Sequence, residues 1–547
     1  MQGPSRGTDR LDSRSSSIDD RLVHAALDRA AERWGDELLI TFGVARTGSL
    51  STSYAALARD ARSVAQTLLD AGLSSGDRVA LMVSNRIEFL AVWFACAYAG
   101  LICVPLNTAQ RGPLLGGLVE SVDPALAFVE DKYVDQFIAA APGQRVAERL
   151  VMVGASVPPV GSGRLRYAAF LGRAGDSLTP SEKASTPHSI FFTSGTTGPA
   201  KGVVYSQARS AHLAANSNEW LQTERGDVVF TCLPLFHINA LLNTFYNSMR
   251  VGCRCVIAEK FSASRFWDDV REIQATIVNC LGTMGAILWK QDPSPADTDH
   301  SVRRGLVMPC PVDWDEWRQR FGFDVLQCYG STDAGSIMGI GRDVDAPKGS
   351  VGRVLDGWEV QIVDKDDRPV PVGTPGELLV RPTRPDIAMS GYWRRPDATV
   401  EAWRNLWLHT SDMLREDEDG NFWFVSRLSE FVRKAGENVS CFEVEQVITL
   451  HPDVELAMAF GIPAEMGDEE VAVLVVPRCV GEMELDELRE YCVEHLPLYA
   501  VPRYLGTIRT LPLTASGKVD RVAAMRGGRD LLVDMAPARG AGPGSSV

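Results

Sequence analysis

Thr193-Ser194-Gly195-Thr196-Thr197-Gly198-Pro199-Ala200-Lys201-Gly202 has the make-up of a phosphate cradle. The apolar run before it, Ser189-Ile190-Phe191-Phe192, reads as a buried strand. Gly195, Gly198 and Gly202 allow a tight turn that brings backbone N–H groups up to an anion. The hydroxyls of Thr193, Ser194, Thr196 and Thr197 add donors, and Lys201 adds a compact positive charge. A solvated Ser/Thr/Gly linker would explain neither the strand nor the closing Lys-Gly. The spacing is not Gly-x-x-x-x-Gly-Lys-Ser/Thr, so this is not a Walker-type P-loop.

Around this segment the chain alternates strands and helices. Asp77 to Val83 reads as a strand, Ile87 to Gly100 as a helix and Leu101 to Val104 as a strand. Val228 to Leu233 and Arg254 to Ile257 repeat the pattern about another helix. Such alternation predicts an α/β fold of layered, mostly parallel sheets. From about 350 to 425 the texture changes to short strands and turns, as in Trp358 to Val363 and Gly376 to Val380, which predicts a small β subdomain. Beyond Arg427 comes a third pattern: helix Phe442 to Leu450, strands Leu456 to Phe460 and Val471 to Val476, helix Leu485 to His495. The expected organisation is a disordered segment over 1–20, a large N-terminal domain over 21–426, a small α+β domain over 427–530 and a disordered tail over 531–547.

Composition narrows the function classes. The 547 residues carry a formal charge of −15, which argues against a nucleic-acid binder yet leaves room for ATP at a local positive site. Eleven cysteines are scattered without a Cys-x-x-Cys pair. Cys253 and Cys255 would share one face of a strand, too close along it to bridge. Reduced thiols and a cytoplasmic location are expected. Phe89 to Leu106 is uncharged over a membrane-span length, but Gly100 and Pro105 interrupt it, and it reads as a buried helix running into a strand. No Cys/His metal cluster is visible, and Ser-, Arg- and Asp-rich residues 1–20 do not resemble a signal peptide.

The phosphate segment resembles the signature of the acyl-adenylate-forming superfamily: acyl-CoA synthetases, peptide-synthetase adenylation domains and luciferases. Four further segments resemble that family's signatures in its order. They are Gln327-Cys328-Tyr329-Gly330-Ser331-Thr332-Asp333, Trp407-Leu408-His409-Thr410-Ser411-Asp412, Ser426-Arg427 through Gly436-Glu437-Asn438-Val439, and Pro512-Leu513-Thr514-Ala515-Ser516-Gly517-Lys518. The resemblance covers roughly residues 20 to 525, and the Arg433 to Cys441 stretch is most similar to crotonobetaine/carnitine-CoA ligases.

The resemblance implies an AMP-forming ligase using ATP and Mg²⁺, with CoA as co-substrate and a mobile C-terminal domain. It assigns the hydroxyls of Thr193 to Thr197, with Gly195, Gly198 and Lys201, to the β- and γ-phosphates. Tyr329 and Gly330 would contact adenine, Thr332 the α-phosphate, Asp412 both ribose hydroxyls and Arg427 the ribose or phosphate. Asp333 stands where the family has its Mg²⁺-binding Glu; one methylene fewer retracts the carboxylate, so the contact would run through water. The alternative for Asp333 is a helix N-cap. Lys518 would neutralise charge where carboxylate and α-phosphate meet, and Gly436 would leave room for pantetheine. His237, Gly282, Thr283 and Met284 would line the acid's pocket. No Asp stands near His237 to pair an amine, which argues against an α-amino acid.

The sequence departs from the family at Ser411 (for Gly), Asp333 (for Glu), Ser429 (for a charged hinge residue), Arg433 (for Lys) and Met308-Pro309-Cys310-Pro311 (for Gly-Gly-Ala-Pro). Three readings stand: a ligase passing a small acid to CoA; an adenylating enzyme with another acceptor (a carrier-protein thiol or an amine, including nitrite activation for diazotisation of an aromatic amine); and a nucleotide-binding protein without catalysis.

Overall fold

The structure is a computed structural model that describes residues 21–44, 48–156, 164–173, 178–181, 183–193, 200–308, 310, 313–340, 346–428, 431–434, 437–464, 469–478, 483–496, 498, 500–513 and 519–535. Strands β1 (Leu38–Phe42) and β2 (Leu50–Ser53) open a first sheet. The next seven strands make a second sheet: β3 (Arg78–Met82), β4 (Ile102–Pro105), β5 (Leu126–Glu130), β6 (Leu150–Val153), β7 (Leu165–Arg166), β8 (Pro187–Phe192) and β9 (Gly202–Ser206). The chain then returns to the first sheet with β10 (Val228–Thr231), β11 (Arg254–Ile257), β12 (Ile277–Leu281), β13 (Arg304–Met308) and β14 (Asp324–Leu326).

The first sheet runs β14-β13-β12-β10-β11-β1-β2 and the second β7-β6-β5-β3-β4-β8-β9. Both are parallel except at one edge, where β1 pairs with β2 and β8 with β9 antiparallel. The expected α/β class with layered, largely parallel sheets is the architecture found. Successive connections leave in opposite directions between β10 and β12 in the first sheet and between β3 and β5 in the second. Loops leaving the carboxyl ends of the strands at such a reversal form a crevice.

The helix Ile87–Ala99 is buried on every side and belongs to one apolar core with residues of both sheets. That accounts for its unbroken apolar sequence, since a helix without a solvent face needs no polar stripe. Gly100 caps it at φ +68° and the chain turns into β4. Among the described residues no helix is long and apolar enough to cross a membrane. The ten described cysteines all carry free thiols, nine of them buried.

Antiparallel strands follow. β15 (Cys328–Ser331), β16 (Gly335–Gly339) and β17 (Arg353–Val354) form a small sheet. β18 (Trp358–Val363), β19 (Gly376–Pro382), β20 (Leu408–Glu416) and β21 (Phe422–Arg427) form a four-stranded meander. The C-terminal part has its own core around a hairpin of β22 (Phe431–Lys434) with β23 (Glu437–Ser440) and a sheet of β24 (Val454–Pro463), β25 (Glu469–Pro477), β26 (Tyr504–Thr507) and β27 (Val533–Asp534). Ordered structure therefore passes residue 531, where the sequence reading begins its tail. Tyr504 pairs with Asp534 across β26 and β27, and Arg503 Nη2 reaches Asp534 Oδ2 at 3.0 Å.

Candidate functional site

The segment read as a phosphate cradle starts at the end of β8 and runs into β9, which pairs with β8 antiparallel. Thr193 N–H donates to the Lys201 carbonyl at 3.0 Å, and Lys201 N–H donates to Thr193 Oγ1 at 3.3 Å, closing the loop's base. Ser194, Gly195, Thr196, Thr197 and Gly198 lie outside the described residues. Gly202 pairs with Phe192 at the end of the hairpin, and a Cβ there would stand 2.7 Å from Ile190 Cγ2, so a larger residue would force that side chain aside. Lys201 Nζ sits 4.8 Å from the centre of the Tyr392 ring.

Tyr392 leads to the turn carrying Thr332 and Asp333. This turn joins β15 to β16, and a Cβ on Gly330 would lie 2.1 Å from the Gly335 carbonyl oxygen. No helix begins there, so Asp333 is not the N-cap that its sequence also allowed. The Thr332 carbonyl accepts from Tyr205 Oη at 2.7 Å and from Arg209 Nη2 at 2.9 Å; Nη2 also donates to the Asp333 carbonyl at 2.6 Å. Arg209 is 1% exposed and stacks 3.8 Å from the Tyr205 ring centre. Its Nε and Nη1 meet no hydrogen-bond acceptor, and burial lowers the guanidinium's affinity for its proton. Asp333 Oδ1 is likewise buried without a hydrogen-bond partner. Burial first, then the charge of the nearby Asp333, push the Tyr392 phenol up. Sequence reasoning missed Arg209, Tyr205 and Tyr392; only the spacing of Arg209 from Lys201 on the following helix could have flagged it.

Asp412 lies on β20 opposite Arg427 on β21. Its Oδ2 accepts from the Tyr329 hydroxyl at 2.7 Å and its Oδ1 lies 3.3 Å from Arg427 Nε. Burial, followed by the Asp412 charge, raises the Tyr329 phenol far above its ordinary range, so this hydroxyl stays a donor. The Tyr329 ring is buried and stacks on Phe424 at 6.4 Å. The structure thus brings together Tyr329, Asp412 and Arg427, three residues the sequence reading treated separately.

The reversal between β10 and β12 holds the residues expected to line the acid's pocket. His237 follows β10, its N–H bonded to the Pro234 carbonyl at 3.1 Å, and a π-helix runs from Asn239 to Tyr246. The wide turn is stitched by Thr244 Oγ1 to the Asn239 carbonyl at 2.9 Å and by Asn279 Nδ2 to Asn239 Oδ1 at 2.8 Å. Gly282, Thr283 and Met284 start the helix Gly282–Trp289 directly after β12, and Met284 Sδ meets Cys232 Sγ at 3.9 Å. Asn85, from the reversal in the second sheet, donates to the Leu233 carbonyl at 3.2 Å and accepts from Leu235 N–H at 2.9 Å. One amide therefore ties the two sheets together beside the residues expected to line the acid's pocket.

Lys518 and Gly436 lie outside the described residues. Lys434, in the stretch that resembles the pantetheine-lining segment, is held by Glu470 Oε2 at 3.0 Å. Asp367, Glu377 and His409, which no Cys/His spacing marks in the sequence, also converge near Asp412, with His409 on the same strand.

Asp412, held between Tyr329 and Arg427, and Asp333 on its turn stand in the motifs that resemble those of adenylate-forming enzymes, and the family comparison agrees. Residues 27–393 match the AMP-binding enzyme family and residues 443–518 the AMP-binding enzyme C-terminal domain; the chain belongs to this family and is an AMP-forming, ATP-using ligase of the acid–CoA ligase type. It is 30% identical over 501 residues to a crotonobetaine/carnitine–CoA ligase of Salmonella paratyphi A, covering 90% of this chain and 96% of the relative. Its fold matches an anthranilate CoA ligase in complex with anthranoyl-AMP at a TM-score of 0.84, with 21% identity over 93% of this chain and 97% of that one. An amide bond synthetase from Marinactinospora thermotolerans matches at a TM-score of 0.79 and 25% identity, over 92% of this chain and 99% of that one.

Proposed function

We propose that the chain activates a small organic acid, not an α-amino acid, and passes it to the thiol of CoA. In the first step a carboxylate oxygen attacks the α-phosphorus of ATP. An O–P bond forms, the bond to the β-phosphate oxygen breaks, and pyrophosphate leaves. In the second step the thiol sulfur attacks the acyl carbon, AMP leaves as the C–O bond breaks, and the thiol proton passes to solvent.

Positioning and charge carry the first step. The β8–β9 loop, with Thr193 at its base and Lys201 at its end, receives the β- and γ-phosphates. Asp412 takes the ribose hydroxyls, an arrangement supported by a carboxylate already oriented from two sides by Tyr329 and Arg427. Tyr329 and Gly330 border the adenine, Thr332 the α-phosphate, and Lys518 meets the reacting carboxylate. Asp333 Oδ1, buried and without a hydrogen bond, suits a divalent cation reached directly or through water. Bound there, Mg²⁺ would neutralise phosphate charge. The part of the chain from residue 427 onward forms the mobile domain, which brings Lys518 for the first step and Gly436 beside pantetheine for the second.

The observation that carries this reading is the similarity to crotonobetaine/carnitine–CoA ligases along 90% of the chain. An amine acceptor is the second reading, favoured by the similarity to an amide bond synthetase. Pyrophosphate release across a panel of organic acids, and nitrite with aromatic amines, each with and without CoA, tests both. A thioester formed only with CoA supports the ligase. Release indifferent to CoA, with amide or diazo product, replaces it with the amine acceptor.

A further inference from the structure

Ser411 stands in β20 with φ at +58°, a left-handed conformation that residues with a Cβ disfavour. Pairing with β19 slips at this point, where the step from Glu377 to Leu379 on β19 faces the longer step from Met413 back to His409 on β20. This is a β-bulge, a device that re-aims the side chains beyond it. The first side chain beyond it is Asp412.

The bulge is held from outside the strand. Ser411 N–H donates to Glu377 Oε1 at 3.1 Å, and its carbonyl accepts from Leu428 N–H at 2.9 Å. Glu377 is 8% exposed. Its Oε2 is bonded to His409 Nδ1 at 3.0 Å and lies 3.3 Å from Arg404 Nη2. Arg404 Nε also lies 3.8 Å from Asp367 Oδ2, which accepts from Asn405 Nδ2 at 2.7 Å. Asp367, Glu377 and His409 come close enough to share a cation, and the Arg404 guanidinium supplies that charge to both carboxylates.

We propose that Glu377 is a positioning residue of the nucleotide site: it holds the left-handed backbone at Ser411 that aims Asp412 at the ribose. The inference rests on the ribose role proposed for Asp412. Glu377 does not touch the nucleotide; it acts through the peptide N–H of the residue before the one that does. His409 and Arg404 fix Glu377 in turn, so that one oxygen always faces Ser411.

The test compares ATP with 2′-deoxyATP in steady-state pyrophosphate release by the full-length enzyme and its variants. The parent enzyme is expected to favour ATP. Glu377→Ala should raise KM for ATP about tenfold, the scale of losing one supported left-handed residue, while changing kcat far less. Its preference for ATP over 2′-deoxyATP should shrink as well. Glu377→Gln keeps an oxygen for Ser411 N–H and should fall between. Adding Ser411→Gly to Glu377→Ala should restore the preference, because glycine adopts this φ unaided; a merely structural role of Glu377 would not be rescued there. Should Glu377→Ala not fold, Ser411→Val leaves Glu377 in place, penalises the same backbone and must show the same loss. Unchanged KM and preference in Glu377→Ala, no rescue by glycine, or full preference in Ser411→Val overturns the proposal. A parent enzyme indifferent to the 2′-hydroxyl removes the ribose role of Asp412, and the positioning role with it.

Discussion

The Tyr329 hydroxyl donates to Asp412 Oδ2 at 2.7 Å and joins strands 83 residues apart. A signature in the first small antiparallel sheet is thereby wired to one in the meander, so the two cannot shift independently. Much of the site is held this way, by buried polar groups that fix carbonyls and carboxylates before any nucleotide arrives.

Arg209 is the strongest such clamp. Arg209→Gln removes a charge-assisted donor shared by the Thr332 and Asp333 carbonyls, and should destabilise the protein by about 1.5–3 kcal/mol while raising KM for ATP. Urea unfolding and steady-state kinetics on the same preparation check both. Loss of stability with an unchanged KM would confine Arg209 to the fold.

Asp333→Glu should retain or increase Mg²⁺-dependent activity if the shorter acid reaches the cation through water. Titrating Mg²⁺ against pyrophosphate release, together with calorimetry of ATP binding, reads this out. Complete loss would mean that the buried turn under Tyr205 and Arg209 accepts only the shorter side chain.

If Lys518 acts where the carboxylate and α-phosphate meet, as proposed, Lys518→Ala should abolish adenylate formation while leaving ATP binding within a few-fold. Equilibrium binding of ATP beside single-turnover pyrophosphate formation separates the two. Unaltered pyrophosphate formation would remove the residue from the first step.

Two buried histidines set an acid limit. Burial lowers His188 from 6.5 to about 4, and burial followed by the Arg384 charge lowers His212 to about 3. Between these values and 6.5 the unfolded chain binds protons that the folded one does not. Stability should therefore be level above about pH 6.5 and decline as pH falls towards 4, by roughly 3 kcal/mol from His188 alone. Urea midpoints at several pH values check the direction; a midpoint unchanged from pH 7 to 5 would show that neither site is as desolvated as its packing implies.

The alternation that built the two sheets was plain in the sequence, and the helix Leu485–His495 has the boundaries its pattern indicates. Apolar period and capping glycines are local signals, and local structure follows them. The residues that organise the site were less legible. Arg209 acts on carbonyls over 120 residues away, and Glu377 acts on a backbone N–H 34 residues ahead. Neither contact leaves a periodicity. The π-helix at Asn239 was read as an ordinary helix, because its widening comes from Thr244 and Asn279 side-chain bonds rather than from composition. The substitution at Ser411 was visible, but its meaning needed the torsion angle.

The first sheet is interrupted in the chain by the whole of the second. Ile40 on β1 finds its parallel partner only at Cys255 on β11, about 200 residues later. At roughly 5–20 residues per second of synthesis, β1 and β2 wait some 10–40 s as a bare two-stranded ribbon, too small to be stable by itself. The nascent chain thus carries an exposed apolar edge for much of its translation. Slow elongation or a shortage of holding chaperones should lower the yield of this enzyme more than that of a protein whose sheets close in the order in which they are made.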